Sequence, residues 1–113
     1  MYDLREHKEL ISQLVSEANQ NDENWRWSVK SVGKTKARIF WSYLEYCGQP
    51  EPYFVIELED TGDGYWIHAL DERDSYIESE IVVDNDLPFL NCPLDKAIEK
   101  MVRCIVNTAH ACY

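Results

Sequence analysis

An α+β fold, with an antiparallel sheet of four to five strands packed on one face by N- and C-terminal helices, is predicted by three observations. Apolar residues recur at helical spacing near both ends of the chain and alternate with period two through the middle. Clusters of Gly, Pro, Asp and Asn punctuate the alternating runs at hairpin intervals. At 113 residues and 45% hydrophobic content the chain matches one domain with one core, so residues 1–113 are read as a single unit.

The first helix opens at Asp3, with Glu6 three residues on in the arrangement of a capping box. Leu4, Leu10, Ile11, Leu14, Val15 and Ala18 share one side, which predicts an amphipathic helix over 3–19 and a polar connector over 19–24. From Trp25 the period is two: Trp25, Trp27 and Val29 alternate with Arg26, Ser28 and Lys30 in a half-buried strand that ends at Gly33. Residues 36–46 fit two patterns, because Ala37, Phe40, Leu44 and Cys47 also match a helix stopped by Gly48 and Pro50. The strand is preferred, since Ile39, Trp41 and Tyr43 favour a pleated surface. Pro50 and Pro52 then impose a loop.

From Tyr53 to Glu59, Phe54, Ile56 and Leu58 face one way, and Tyr53, Val55, Glu57 and Glu59 the other. Residues 60–64 form a hairpin turn, Tyr65 to Leu70 the returning strand, 71–75 a second turn and Tyr76 to Val83 the last strand, with Asn85 and Asp86 closing the sheet. Pro93, after Cys92 or Asn91, takes a first helical position. The helix it opens buries Leu94, Ile98, Met101, Val102, Ile105, Ala109 and Cys112, while Lys96, Lys100, Arg103, Asn107 and His110 form a separate polar stripe.

Charge is divided as sharply as hydropathy. Residues 45–86 carry thirteen acidic side chains and one basic one, Arg73, and the segments 1–23, 24–44, 45–86 and 87–113 carry net charges of -4, +5, -12 and +1. A field of this strength governs encounter and partner choice rather than fold. A total of -10 disfavours nonspecific binding to DNA and to anionic lipid. The exception is the basic stretch from Arg26 to Arg38, which with Trp25 and Trp27 has the cations and stacking faces of a nucleic-acid contact. Its preferred role is internal, with Arg26, Lys30 and Arg38 as cross-strand partners to Glu45, Glu57 and Glu59. No apolar run reaches the ~18–20 residues needed to span a bilayer, and the N-terminus has no basic leader, so the expectation is a cytoplasmic protein without membrane contact. Cys47, Cys92, Cys104 and Cys112 form no C-x-x-C pair and are read as reduced thiols, with Cys104 and Cys112 as small buried hydrophobes.

Each candidate for chemistry is weak on its residues. Asp60-Thr61-Gly62 spells the tripeptide of aspartic proteases, but that chemistry needs two carboxylates in an apolar cradle, and here the tripeptide sits in an acidic turn. A calcium loop counted from Asp60 fails, with Gly62 at its third position and Asp71 at its twelfth. Val32-Gly33-Lys34-Thr35 lacks the earlier glycine of a phosphate loop. His68 shares a face with Trp66 and Leu70 and is read as a hydrogen-bonded histidine at the edge of the core, with a base or ligand as the alternative. Cys92 sits at a helix N-terminus without a partner base. No catalytic residue, metal or cofactor is therefore assigned.

The expectation is a small acidic, non-enzymatic binding protein whose acidic and aromatic sheet surface docks on a basic groove of a partner protein. Phage-made inhibitors that imitate nucleic acid offer an analogy of class, though no motif here identifies such a family. The expected contacts are Glu57, Glu59, Asp60, Asp63, Asp71, Glu72 and Asp74, with Tyr53 and Tyr65 as aromatic anchors, because charge supplies speed and register and aromatics supply anchoring energy. Two alternatives remain: an acidic chaperone or immunity-type protein for a cognate client, and a small enzyme using Cys92 or His68. The oligomeric expectation is monomer or homodimer.

Overall fold

The structure, a computed structural model, describes residues 2–22, 25–43, 53–84 and 93–112. A single 3₁₀ turn, Leu4–His7, leads into helix α1, Lys8–Gln20. Five strands follow, β1 Trp25–Val32, β2 Lys36–Tyr43, β3 Tyr53–Asp60, β4 Gly64–Leu70 and β5 Tyr76–Asp84, and helix α2, Leu94–Cys112, ends the fold. The strands pair antiparallel in chain order, β1-β2-β3-β4-β5, so the sheet is a plain meander. This is the α+β arrangement expected from the sequence. The expected end of β2 at 44–46, the loop at 48–52, the closing Asn85 and Asp86, and Cys47, Cys92 and their surroundings lie outside the described residues.

Alternation fixes which side is buried. Val29 pairs in register with Ile39, Ile39 with Phe54, Ala37 with Ile56, Ile56 with Ala69, and Leu58 with Ile67. These rows meet Leu4, Ile11 and Val15 of the N-terminal helix and Leu94, Ala97, Ile98, Met101, Val102, Ile105 and Ala109 of α2 in one core. Both helices therefore lie on the same face of the sheet, α1 over β1 and α2 over β3 to β5, and they touch each other. Residues 36–43 are strand because that pleat delivers Ala37 and Ile39 to the core together, whereas a helix would bring Phe40 and Leu44 round with Ala37.

Asp3 caps the first turn as expected, but with Arg5 as its partner in place of the capping box with Glu6. Asp3 accepts a hydrogen bond from the Arg5 N–H at 2.9 Å, and the Arg5 guanidinium closes on the same carboxylate at 2.7 Å. That side-chain hydrogen bond holds the Asp3 carboxyl at about 2. Pro93 stands one position before the helix, where its carbonyl accepts the Ala97 N–H at 3.0 Å. Cys104 is free and half-buried, more open than expected.

An open meander has two edges, and both are occupied by side chains. On β1 the Asn19 amide acts as a surrogate strand: its Oδ1 accepts the Trp27 N–H at 2.6 Å and its Nδ2 donates to the Trp27 carbonyl at 2.7 Å. On β5 Glu78 Oε1 accepts the Ser79 N–H at 3.0 Å, and Glu80 Oε1 accepts the Ile81 N–H at 3.3 Å. The outward groups at Trp27, Ser79 and Ile81 are thus satisfied within the molecule, which interrupts each edge as a template for pairing with another chain. Glu80 also receives Lys100 of α2 at 2.8 Å, and His110 reaches Asp22 at 2.9 Å, so the polar stripe of α2 ties that helix to the sheet edge and to the end of α1.

Replacing Asn19 with Ala strands two partly buried backbone groups. Urea unfolding should show a loss of about 1–3 kcal/mol, and sedimentation should show new concentration-dependent association through the bared β1 edge. The Glu80–Lys100 pair predicts a pH signature. The hydrogen bond from Lys100 lowers the Glu80 pKa below its ordinary 4.5, so that contribution is present above pH 4.5 and is lost as pH falls through the lower folded value. Lys100 is raised above 10.5 by the same bond, so its share is lost only as pH rises past that value. Glu80→Gln should be less stable than the parent by roughly 0.5–1 kcal/mol near neutrality, and thermal melts should show the difference closing below pH 4.5.

Candidate interaction face

The face opposite the helices is built from the alternate residues of every strand. Arg26, Ser28 and Lys30 come from β1, Lys36, Arg38 and Phe40 from β2, and Tyr53, Val55, Glu57 and Glu59 from β3. Trp66, His68 and Leu70 come from β4, and Tyr76, Ser79 and Ile81 from β5. Val55 and Leu70 are cross-strand partners, buried on this face yet outside the main core.

The face has two halves of opposite character. On the β1–β2 side Lys30 Nζ rests 5.4 Å over the Phe40 ring, Phe40 stacks on Tyr53 with centroids 5.7 Å apart, and Lys36 approaches Glu57 at 3.9 Å. On the β4–β5 side stand the exposed large hydrophobics, Trp66 at 37% and Tyr76 at 64% of their full surface. Between them lies His68, only 7% exposed. Its Nε2 is 2.7 Å from Glu59 Oε2 and its Nδ1 is 2.6 Å from Ser79 Oγ. A carboxylate only accepts, so Nε2–H donates to Glu59, and in the neutral ring Nδ1 accepts from the Ser79 hydroxyl. Held at both nitrogens, the imidazole lies nearly parallel to Trp66, with centroids 6.1 Å apart, and 4.8 Å from the tilted Tyr76 ring.

The expected contact residues do not gather in one patch. Glu57, Glu59 and Tyr53 lie on the helix-free face. Asp60 and Asp63 lie at the β3–β4 turn, where Asp60 Oδ1 accepts the Gly62 N–H at 2.8 Å and Gly62 takes φ 87°. Asp71, Glu72 and Asp74 lie at the β4–β5 turn, at the other end of the sheet. There Asp71 Oδ1 accepts the Arg73 and Ser75 N–H groups, and Asp74 adopts φ 61°. Seven residues of β4 separate the turns, roughly 23 Å at ~3.3 Å per residue. Tyr65 pairs with Asp60 on the helix side and meets Tyr2 edge-to-face at 5.1 Å, so it belongs to the packed side. Glu78 and Glu80 also take the helix side, in register with Ala69 and Ile67.

The carboxylates therefore divide between Glu57 and Glu59 on the helix-free face and the acidic turns at the two ends of β4, with cationic strands beside them. Trp66, Tyr76 and Ser79 were not among the expected contacts. His68 is hydrogen-bonded as expected, yet on the face away from the core, because Ile67 and Ala69 take the core positions that alternate with it. The signal was available: Ile67 and Ala69 continue the buried set begun by Leu58 and Ile56.

A carboxylate, an imidazole and a hydroxyl in series have the make-up of an activated serine. Here the series holds the imidazole at both nitrogens, while the backbone N–H groups of Ser79 and Ile81 meet the Glu78 and Glu80 carboxylates. Among the described residues, no group of three or more His, Cys, Asp or Glu is placed to hold a metal ion, and no helix is long and apolar enough to cross a membrane. Compared with protein-family models, with curated proteins and with solved structures, the chain matches none, so its function is read from its own residues.

Proposed function

We propose that the protein is a non-enzymatic binding protein that docks on a basic groove of a partner protein through the acidic and aromatic surface of β3 to β5, as an inhibitor imitating nucleic acid would. The observation that carries this reading is the exposure of Trp66 and Tyr76 beside Glu57 and Glu59, on a face left open by the helices and flanked by acidic turns at both ends. Large aromatics dominate the anchoring energy of interfaces, and carboxylates around them set orientation and encounter rate.

Two further features support a docking mode through the face. Each sheet edge is interrupted by side-chain bonds, at Trp27 on β1 and at Ser79 and Ile81 on β5, which argues against strand addition as the way a partner binds. Glu57 and Glu59 are also backed by acidic turns at either end of β4, Asp60 and Asp63 at one and Asp71, Glu72 and Asp74 at the other, which extends the negative field along the hairpin. The cationic half has a bounded role in this mode. Lys36 turns toward Glu57 and Lys30 lies on Phe40, so part of its charge is spent inside the face.

The test is capture of partners from the native host followed by titration of the purified partner. Trp66→Ala and Tyr76→Ala should each weaken binding by about 2 kcal/mol or more. Asp63→Lys with Glu72→Lys should slow association and reduce its salt dependence, and Asp95→Lys with Glu99→Lys on α2, an equal change of net charge, should have a smaller effect on both. An affinity that stays constant from low to high ionic strength would remove the electrostatic premise.

A further inference from the structure

We infer that Trp66, Tyr76 and Glu59 form a notch that receives one arginine side chain of the basic partner, an inference that rests on the docking reading above. His68 is the floor. Its ring is nearly buried, bonded at both nitrogens, and flanked by the two exposed rings, Trp66 nearly parallel to it at 6.1 Å and Tyr76 tilted at 4.8 Å. Glu59 is the cross-strand neighbour of Trp66 and supplies the rim, with its side chain 47% exposed. One of its oxygens, Oε2, accepts from His68, and a carboxylate has about four lone-pair sites in all.

The contrast between the two halves of the face identifies the missing member. On the β1–β2 half a cation already lies on an aromatic ring and a cation already meets a carboxylate, Lys30 on Phe40 and Lys36 at Glu57. On the β4–β5 half the rings and the carboxylate stand together, and among the described residues no Lys or Arg is placed against Trp66, Tyr76 or Glu59. The complement of that half is a cation with a flat face. A guanidinium stacks on an indole while its N–H fork meets a carboxylate, and an ammonium has no such plane. The aromatic floor is fixed beforehand by Glu59 and Ser79, which reduces the ordering needed on binding.

The probes are a nine-arginine and a nine-lysine peptide of equal charge, titrated into the full chain at one salt concentration by calorimetry and by ¹⁵N-resolved NMR. The arginine peptide should bind at least about fivefold tighter and move the Trp66 indole N–H and the amides of His68 and Ser79. Trp66→Ala, and independently Tyr76→Ala, should reduce its affinity about five- to tenfold and erase the preference over lysine. Glu59→Gln, which keeps an acceptor for His68, should do the same, while Glu72→Gln should weaken both peptides equally. Equal or stronger binding of the lysine peptide, with shifts centred on the two acidic turns, would overturn the notch and leave the docking reading standing. Shifts confined to α1 and α2, or binding of neither peptide, would overturn both.

Discussion

One-sided coverage of the sheet is the constraint on which the rest of the molecule depends. Two helices bury the row set by Val29, Ile39 and Phe54 and the row set by Ala37, Ile56 and Ala69. Because side chains alternate along a strand, that choice assigns every intervening residue to the other face. A slip of one residue in β4 would send His68 and Trp66 into the core and Ile67 and Ala69 out of it. The hydrophobic core and the helix-free face are therefore one decision about register. The bulges at Val29/Ser31, Tyr65/Trp66 and Ala69/Leu70 are the places where the ladder departs from strict alternation.

The two edges meet the same problem by different chemistry. At β1 a helix residue, Asn19, supplies donor and acceptor together and replaces a neighbouring strand at Trp27. At β5 glutamates turn onto the next residue's N–H, which satisfies the donor and also sets a negative charge against any approaching strand. Glu80 joins that protection to packing, since the same side chain meets Lys100 of α2. Acidic residues that add to the net charge thus serve the edge of the sheet rather than its face.

Local patterns were the legible part of the sequence, and three-dimensional placement was the illegible part. Both helices, all five strands and the two turns are visible as periodicity and turn chemistry, because each depends on neighbours a few residues away. The concentration of carboxylates between Glu45 and Asp86 is equally visible, but a run along the chain becomes a surface only after folding. Folding sends Glu57 and Glu59 to the open face, Asp60 and Asp63 to one end, Asp71, Glu72 and Asp74 to the other, and Glu78 and Glu80 to the helix side. Tyr65 was misleading for the same reason, since its parity matches Ile67 rather than Trp66. His68 depended on pairing: Glu59 is nine residues away and Ser79 eleven, and only the antiparallel registers bring them to the same ring.

Net charge and local charge therefore act at different ranges. Before contact, within the reach left by screening (a Debye length of ~8 Å at physiological salt), the total of -10 favours basic surfaces of any shape. At contact a partner meets a face with Arg26, Lys30, Lys36 and Arg38 on one side and Glu57 and Glu59 with Trp66 and Tyr76 on the other. A uniformly basic groove would be attracted and then repelled along β1 and β2, so attraction alone does not fix a pose. A groove whose cations line one wall, with an arginine at its centre, is favoured at both ranges. The bipolar face thus narrows the set of partners that net charge alone would admit.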